Sequence, residues 1–240
     1  MEETFQIIVA DETHSRYAQE ICTMIEESAK IRGTGIAKRN PDYIKTKMTE
    51  GKAVICLSAT EELAGFCYIE TWSHNKYVAH SGLIVNPKFR QFGLATKIKT
   101  KAFELSLQKF PDAKVFGLTT SLPVMKINSD LGYKPVTFSE LTQDEAFWKG
   151  CQSCVNYDIL TRTNRKHCLC TGMLYDPAEN TPEKKAAEQK GWRSLKVYER
   201  WLRIKEVILG RLRHTKTERL AQKAQRLEAK AQKIREKVLA

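Results

Sequence analysis

The sharpest chemical signal in this 240-residue chain is a turn. VNPKFRQFGLAT, between an apolar run and an amphipathic one, sets Arg90, Gly93 and Ala95 at the spacing Arg-x-x-Gly-x-Ala. Small residues at a helix start let consecutive backbone N–H groups approach an anion, and the helix dipole favours negative charge there. A pyrophosphate is the natural ligand. The spacing matches neither the Gly-x-Gly-x-x-Gly dinucleotide fingerprint nor the Gly-Lys-Ser/Thr phosphate loop. A second pattern is Cys151, Cys154, Cys168 and Cys170, spaced Cys-x2-Cys-x13-Cys-x-Cys, which raises zinc. Against it, NYDIL and LCTGML read as a hairpin turning at 163–166. At ~3.3 Å per strand residue, that pairing sets Cys168 and Cys170 opposite about 158–161, away from the other two. Structural thiols are expected, and no metal.

The elements around the turn follow from periodicity. FQIIVA (5–10) reads as a strand, and Tyr17, Ile21, Met24, Ile25 and Ala29 recur at helical spacing between Glu12 and Arg32, with Gly33 as a stop. Asn40 before Pro41 opens a second short helix through Tyr43, Ile44 and Met48, closed by Gly51. AVICLS (53–58), LAGFCYIETW (63–72) and YVAHSGLIV (77–85) read as three strands, with Gly82 marking a bulge in the third. Leu94, Ile98, Ala102, Leu105 and Leu107 mark a long amphipathic helix. Then come a strand (114–120), a helix near 122–131 ending at Gly132, a strand at 136–138, a short helix over 143–149, and two strands in VNYDILTR and CLCTGMLY. The order predicts an α/β (α+β) fold, a mixed sheet with helices on both faces.

Charge divides the chain. The whole carries +12, but residues 181–240 hold 18 Lys+Arg against 7 Asp+Glu, leaving the first 180 near neutral. A domain over 1–178 and a basic helical tail over 179–240 are expected. In the tail, Leu220, Ala224, Leu227, Ala231, Ile234 and Val238 alternate by four and three, the seam of a short, weak coiled coil. A solvated basic helix with one packed seam is the preferred reading; nucleic-acid binding is not favoured, because aromatic interleaving is sparse. No apolar run approaches the ~20 residues of a membrane span. The acidic start and an odd number of scattered cysteines, seven, point to a reduced, cytoplasmic setting.

Two helices after the first strand, a three-strand meander, the Arg-x-x-Gly-x-Ala turn and a strand–helix unit ending in DLGY resemble the Gcn5-related N-acetyltransferase superfamily over roughly residues 5–175. The resemblance implies a mostly antiparallel sheet flanked by helices, with acetyl-coenzyme A or another acyl-coenzyme A as co-substrate. It implies pyrophosphate held by backbone at Gln91, Phe92, Gly93, Leu94, Ala95 and Thr96, beside Arg90. Pantetheine would lie along Leu83, Ile84 and Val85 like an added strand, entering the splay towards KVFGLTT. More narrowly, EESAKIRGTGIAKR, AGFCYIETW, WKGCQSCVNYDIL and CLCTGMLYDP are similar to bacterial glutamate N-acyltransferases of arginine biosynthesis.

Acyl transfer to an amine needs a base, and Glu70 and His80, on adjacent strands bordering the implied cleft, are its candidates. A backbone N–H at the bulge near Leu83 is placed to receive the oxyanion. The superfamily's usual acid is a Tyr four residues before the Gly of the Leu-Gly-Phe/Tyr end; here Asn128 holds that position, able to bond coenzyme A but not to supply a proton, and Tyr133 or water is left for that role. Arg32, Lys38 and Arg39 lie in the segment that lines the superfamily's acceptor pocket and suit a dicarboxylic amino acid. The expected activity is direct acyl transfer, acetyl or succinyl, to a small amino acid, L-glutamate first, with Cys67 as the nucleophile of a ping-pong alternative. The rival expectations are a protein or peptide N-acetyltransferase recruited through the tail, and a non-catalytic coenzyme A-binding or RNA-associated protein. Self-association into a homo-oligomer is left open.

Overall fold

The structure, a computed structural model, describes residues 3–32 and 38–181, together with Gln225. The tail reading therefore lies almost wholly outside the described residues. A seven-stranded sheet runs in the order β1-β2-β3-β4-β5-β7-β6. Its strands are β1 (Phe5–Val9), β2 (Ala53–Ser58), β3 (Leu63–Trp72), β4 (Tyr77–Val85), β5 (Lys114–Thr119), β6 (Lys134–Val136) and β7 (Thr171–Tyr175). All neighbours pair antiparallel except β4 and β5. That parallel pair needs a crossover, supplied by α3 (Leu94–Lys109).

Local chemistry sets the helices. Asp11 caps a 3-10 turn at Glu12–Tyr17, which leads into α1 (Ala18–Arg32). The side chain of Asn40 accepts from the Asp42 N–H, and Pro41 starts α2 (Pro41–Thr49). α4 (Leu122–Asp130) and α5 (Glu145–Lys149) follow β5 and β6. One face of the sheet packs on α3 through Val54, Cys67, Ile69, Ile98 and Ala102. The other packs on α1 and α2 through Ile21, Ile25, Ile44, Met48 and Phe66. A third cluster joins Phe116 and Leu174 to Phe138, Trp148 and Leu160 beyond β7. Among the described residues, no helix is long and apolar enough to cross a membrane.

Two expectations fail near the end of this fold. VNYDILTR is no strand: Tyr157–Arg162 forms the short helix α6, and β7 pairs with β5 and β6 instead of with a hairpin partner. Short apolar runs do not separate strand from helix, and here the helix buries Leu160 against Trp148. VTF is likewise split, with Val136 ending β6 and Phe138 opening a 3-10 turn.

Candidate active site

Beyond Ala79 and Phe116, the last paired residues of β4 and β5, the ladder between these strands stops. An extra residue in β4 shifts its register against β3, and Gly82 at the shift has φ +65°. A Cβ there would come within 2.8 Å of the Tyr68 ring, so only glycine fits both the left-handed backbone and the close approach. The splayed strands open a cavity of about 660 Å³.

One wall of the cavity is the splay, with Ser81, Gly82 and Leu83 of β4, Gly117 and Leu118 of β5, and Val124 and Asn128 of α4. Ile84 and Val85 bury their side chains in opposite cores, so they offer a ligand only backbone. Asn128 is 1% exposed, and its Oδ1 has no hydrogen-bond partner. Lys99 reaches the same cavity from α3. It is 3% exposed, and its ammonium lies 5.3 Å from the centre of the Tyr133 ring and 3.9 Å from where a Cβ on Gly117 would stand. Burial pushes its pKa down to about 8, with only the Cys67 thiol opposing.

The opposite wall carries Glu70, Tyr43, Arg39 and Lys38. Tyr43 donates a hydrogen bond to Glu70 Oε1, and Lys47 Nζ stands 3.6 Å from the same oxygen. Burial pushes the Glu70 carboxyl up to about 7, against the pull of the Arg39 cation. Arg39 is itself fixed by Tyr68 OH, which accepts from its Nε, and by the Lys38 carbonyl at 3.0 Å. Lys38 is exposed and pairs with Glu26 at 3.5 Å. Arg32 ends α1, and its side chain lies outside the described residues. α5 and the following turn roof this side with Ala146, Phe147, Lys149 and residues 150–154. Phe147 packs edge-on against Trp72 and Phe116.

His80 and Tyr133 are wired differently. Ser106 Oγ donates to the Ala102 carbonyl at 2.9 Å, so its contact of 2.8 Å with His80 Nε2 makes that nitrogen the donor. Nδ1 is then the acceptor facing Tyr133 OH at 3.4 Å. Burial and the Lys99 charge hold His80 well below its ordinary pKa, and burial holds Tyr133 well above its own. Both nitrogens of the histidine are engaged towards α3 and Tyr133, whereas Glu70 faces the roofed side. Tyr133 does not line the cavity. Cys67 does not either; its Sγ donates to the Ser81 carbonyl at 3.5 Å, and burial pushes the thiol up to about 11.

The Arg-x-x-Gly-x-Ala segment forms the strand-to-helix turn that its sequence predicts. Asn86 accepts from the Lys88 N–H, Pro87–Phe92 is a 3-10 turn, and Gly93 (φ +66°) hands the chain to α3 without a side-chain cap. Phe89 and Leu94 are buried and anchor it, while Arg90, Gln91, Gly93 and Thr96 are exposed. Phe92 packs on Phe5, and Ala95 is half-buried. The first N–H groups of α3 are thus free of side-chain competitors.

Sequence reasoning missed Lys99, Tyr43, Lys47 and the roof. One signal existed: Lys99 sits on the apolar stripe of α3 between Ala95 and Ala102, where a charged residue has to face something other than the core. No family model and no curated protein matches the chain. Among solved structures, N-acetylglutamate synthase from Neisseria gonorrhoeae, complexed with coenzyme A and N-acetyl-glutamate, is similar at a TM-score of 0.53 and 16% identity. That match covers 73% of this chain and 36% of the Neisseria chain, so this chain spans about a third of that protein. A Mycobacterium tuberculosis protein in complex with CoA is similar at a TM-score of 0.50 and 12% identity, over 71% of this chain and 98% of the other. The order of the sheet, the splay of β4 from β5 and these likenesses agree: the chain has the fold of the Gcn5-related N-acetyltransferases.

Proposed function

We propose that the protein is an acyl-coenzyme A-dependent N-acyltransferase that transfers an acetyl or succinyl group directly to a small amino acid, L-glutamate first. The observation that carries this reading is the two-walled cavity, with a strand splay on one side and the half-buried Glu70 carboxyl beside Lys47 and Arg39 on the other. The diphosphate of the donor suits the backbone N–H groups that open α3. Its pantetheine suits the backbone edge at Leu83–Val85, which brings the thioester to the apex of the splay.

Glu70 takes the proton from the acceptor amine. The nitrogen attacks the thioester carbonyl, the C–N bond forms, and the backbone at the Gly82–Leu83 bulge receives the oxyanion. When the C–S bond breaks, its electron pair goes to sulfur. The Lys99 ammonium then offsets the thiolate and can protonate it, because a pKa of about 8 is close to a thiol's ordinary ~8.5. Asn128 Oδ1 accepts from a pantetheine N–H. Lys99 thus fills the role that the superfamily gives to a Tyr and that Asn128 cannot perform. The sealed, protonated Cys67 argues against a ping-pong route.

Arg39, Lys38 and Lys149 line the cavity and supply the positive charge that two acceptor carboxylates require. The glutamate product in the Neisseria complex points the same way. Thiol release from acetyl- and succinyl-coenzyme A, measured with L-glutamate and a panel of amino acids and amines, tests the proposal. Turnover with glutamate is expected. Silence across the panel, with coenzyme A still bound, would refute a small acceptor.

A further inference from the structure

The four cysteines that a hairpin would have kept apart stand together. Cys151 lies in the 3-10 turn after α5, Cys154 ends that turn, and Cys168 and Cys170 lie in the irregular stretch that enters β7. All four line one small cavity of about 30 Å³, behind the roof of the larger one. None is in a disulfide. The sulfurs of Cys151, Cys154 and Cys168 all lie near enough to that of Cys170 to act on it electrostatically.

Asn156 lines the same cavity and gives a second, independent sign. Its backbone N–H donates to Cys154 Sγ at 3.5 Å. Its side chain is 8% exposed, yet its Nδ2 is buried without a hydrogen-bond partner. A buried amide donor is thus left without an acceptor beside four sulfurs.

We propose that Cys151, Cys154, Cys168 and Cys170 are the ligands of a structural Zn²⁺ site that fastens the active-site roof to the start of β7. A set of four thiolates selects zinc over the hard cations, and four protein ligands close the site to water. The Cys-x2-Cys pair sits on a turn, as ligand pairs of structural zinc sites do. Thiolates held on a dication would be stronger acceptors than thiols, and one of them would give Asn156 Nδ2 the partner it lacks. The segment has reason to need such a fastening, since between α5 and β7 its regular structure is a four-residue 3-10 turn and the six-residue α6. Among the described residues, no three ligating side chains are already gathered at metal-binding geometry. Meeting at ~2.3 Å from one centre therefore requires side-chain rotation, for which the small cavity leaves room for one ion.

The test does not depend on the activity. Full-length protein, purified under reducing conditions without chelator, is assayed for zinc by elemental analysis; close to one zinc per chain is expected, and its loss from the double variant C168S/C170S. Because that variant could fail to fold, wild-type protein stripped of metal is also titrated with Co²⁺. Intense sulfur-to-cobalt charge-transfer absorption is expected. Wild-type protein that carries no zinc and gives no such absorption overturns the proposal. So does zinc retained in full by folded C168S/C170S, or a disulfide among these cysteines in freshly reduced and purified protein.

Discussion

At the scale of single residues, the site turns on two groups whose burial moves them towards neutrality from opposite ends. In the proposed mechanism Glu70 works ionised, a form present above about pH 7. Lys99 there works protonated, a form lost as pH rises through about 8. Turnover should therefore follow a bell with a narrow top between these values. Glu70→Gln should lower kcat by about 10²- to 10⁴-fold and abolish the acidic limb, and Lys99→Met should lower it by about 10²-fold and abolish the alkaline limb. Steady-state profiles of the two variants read both limbs separately. Glu70 also bears on stability. Its folded pKa is raised, so its stabilising contribution is full below the unfolded value and is lost as pH rises through about 7. Above pH 8, Glu70→Gln, which can still accept from Tyr43, should be more stable than wild type by about 1–3 kcal/mol in urea unfolding, and the gain should vanish near pH 4. Position 70 was legible in the sequence because it falls near the end of a strand bordering the cleft that the family resemblance implied. Its environment was not, because Tyr43 and Lys47 arrive from α2 and no local pattern announces that meeting. His80 illustrates the converse: its strand was readable, but Ser106 and Tyr133, which occupy its two nitrogens, come from distant elements.

At the scale of elements, the cavity opens because β4 is irregular. Gly82 holds the bulge with φ +65° against Tyr68, and the splay begins within three residues of it. Gly82→Ala must add left-handed strain and displace the Tyr68 ring, a cost of about 1–3 kcal/mol by denaturant unfolding. Its effect on turnover should exceed that loss, since the shift moves both the oxyanion donor at Leu83 and, through Tyr68, the Arg39 side chain; a variant that folds and keeps wild-type kcat/KM would refute this coupling. The strands β2, β3 and β4 were readable to the residue because continuous apolar runs, the polar turn between the first two and one glycine all agreed. α6 was not, because YDILTR is too short to show a helical period and its β-branched residues mimic a strand. That one misreading also scattered the four thiols, whose grouping depends on α6 turning the chain back towards α5.

At the scale of the whole molecule, charge and chemistry occupy different stretches of chain. Every residue proposed here for donor, acceptor or metal lies before residue 182, where the formal charge is close to zero, whereas 181–240 carries +11. A field of that size acts on polyanions and falls steeply with salt, but a dicarboxylic acceptor bound between Arg39, Lys38 and Lys149 responds to charges within a few ångströms. Deleting 182–240 should therefore leave thiol release with L-glutamate within about two-fold of the full chain, well inside the ~10-fold that 1.4 kcal/mol would make. The same deletion should abolish retention on a polyanion column at low salt, an electrostatic property of the tail alone. Preserved turnover with lost retention assigns the tail to association outside the catalytic step. Lost turnover, with the truncated chain still folded and still binding coenzyme A, would instead make the tail part of the working assembly, and the small-acceptor site would then have to be completed from beyond residue 181.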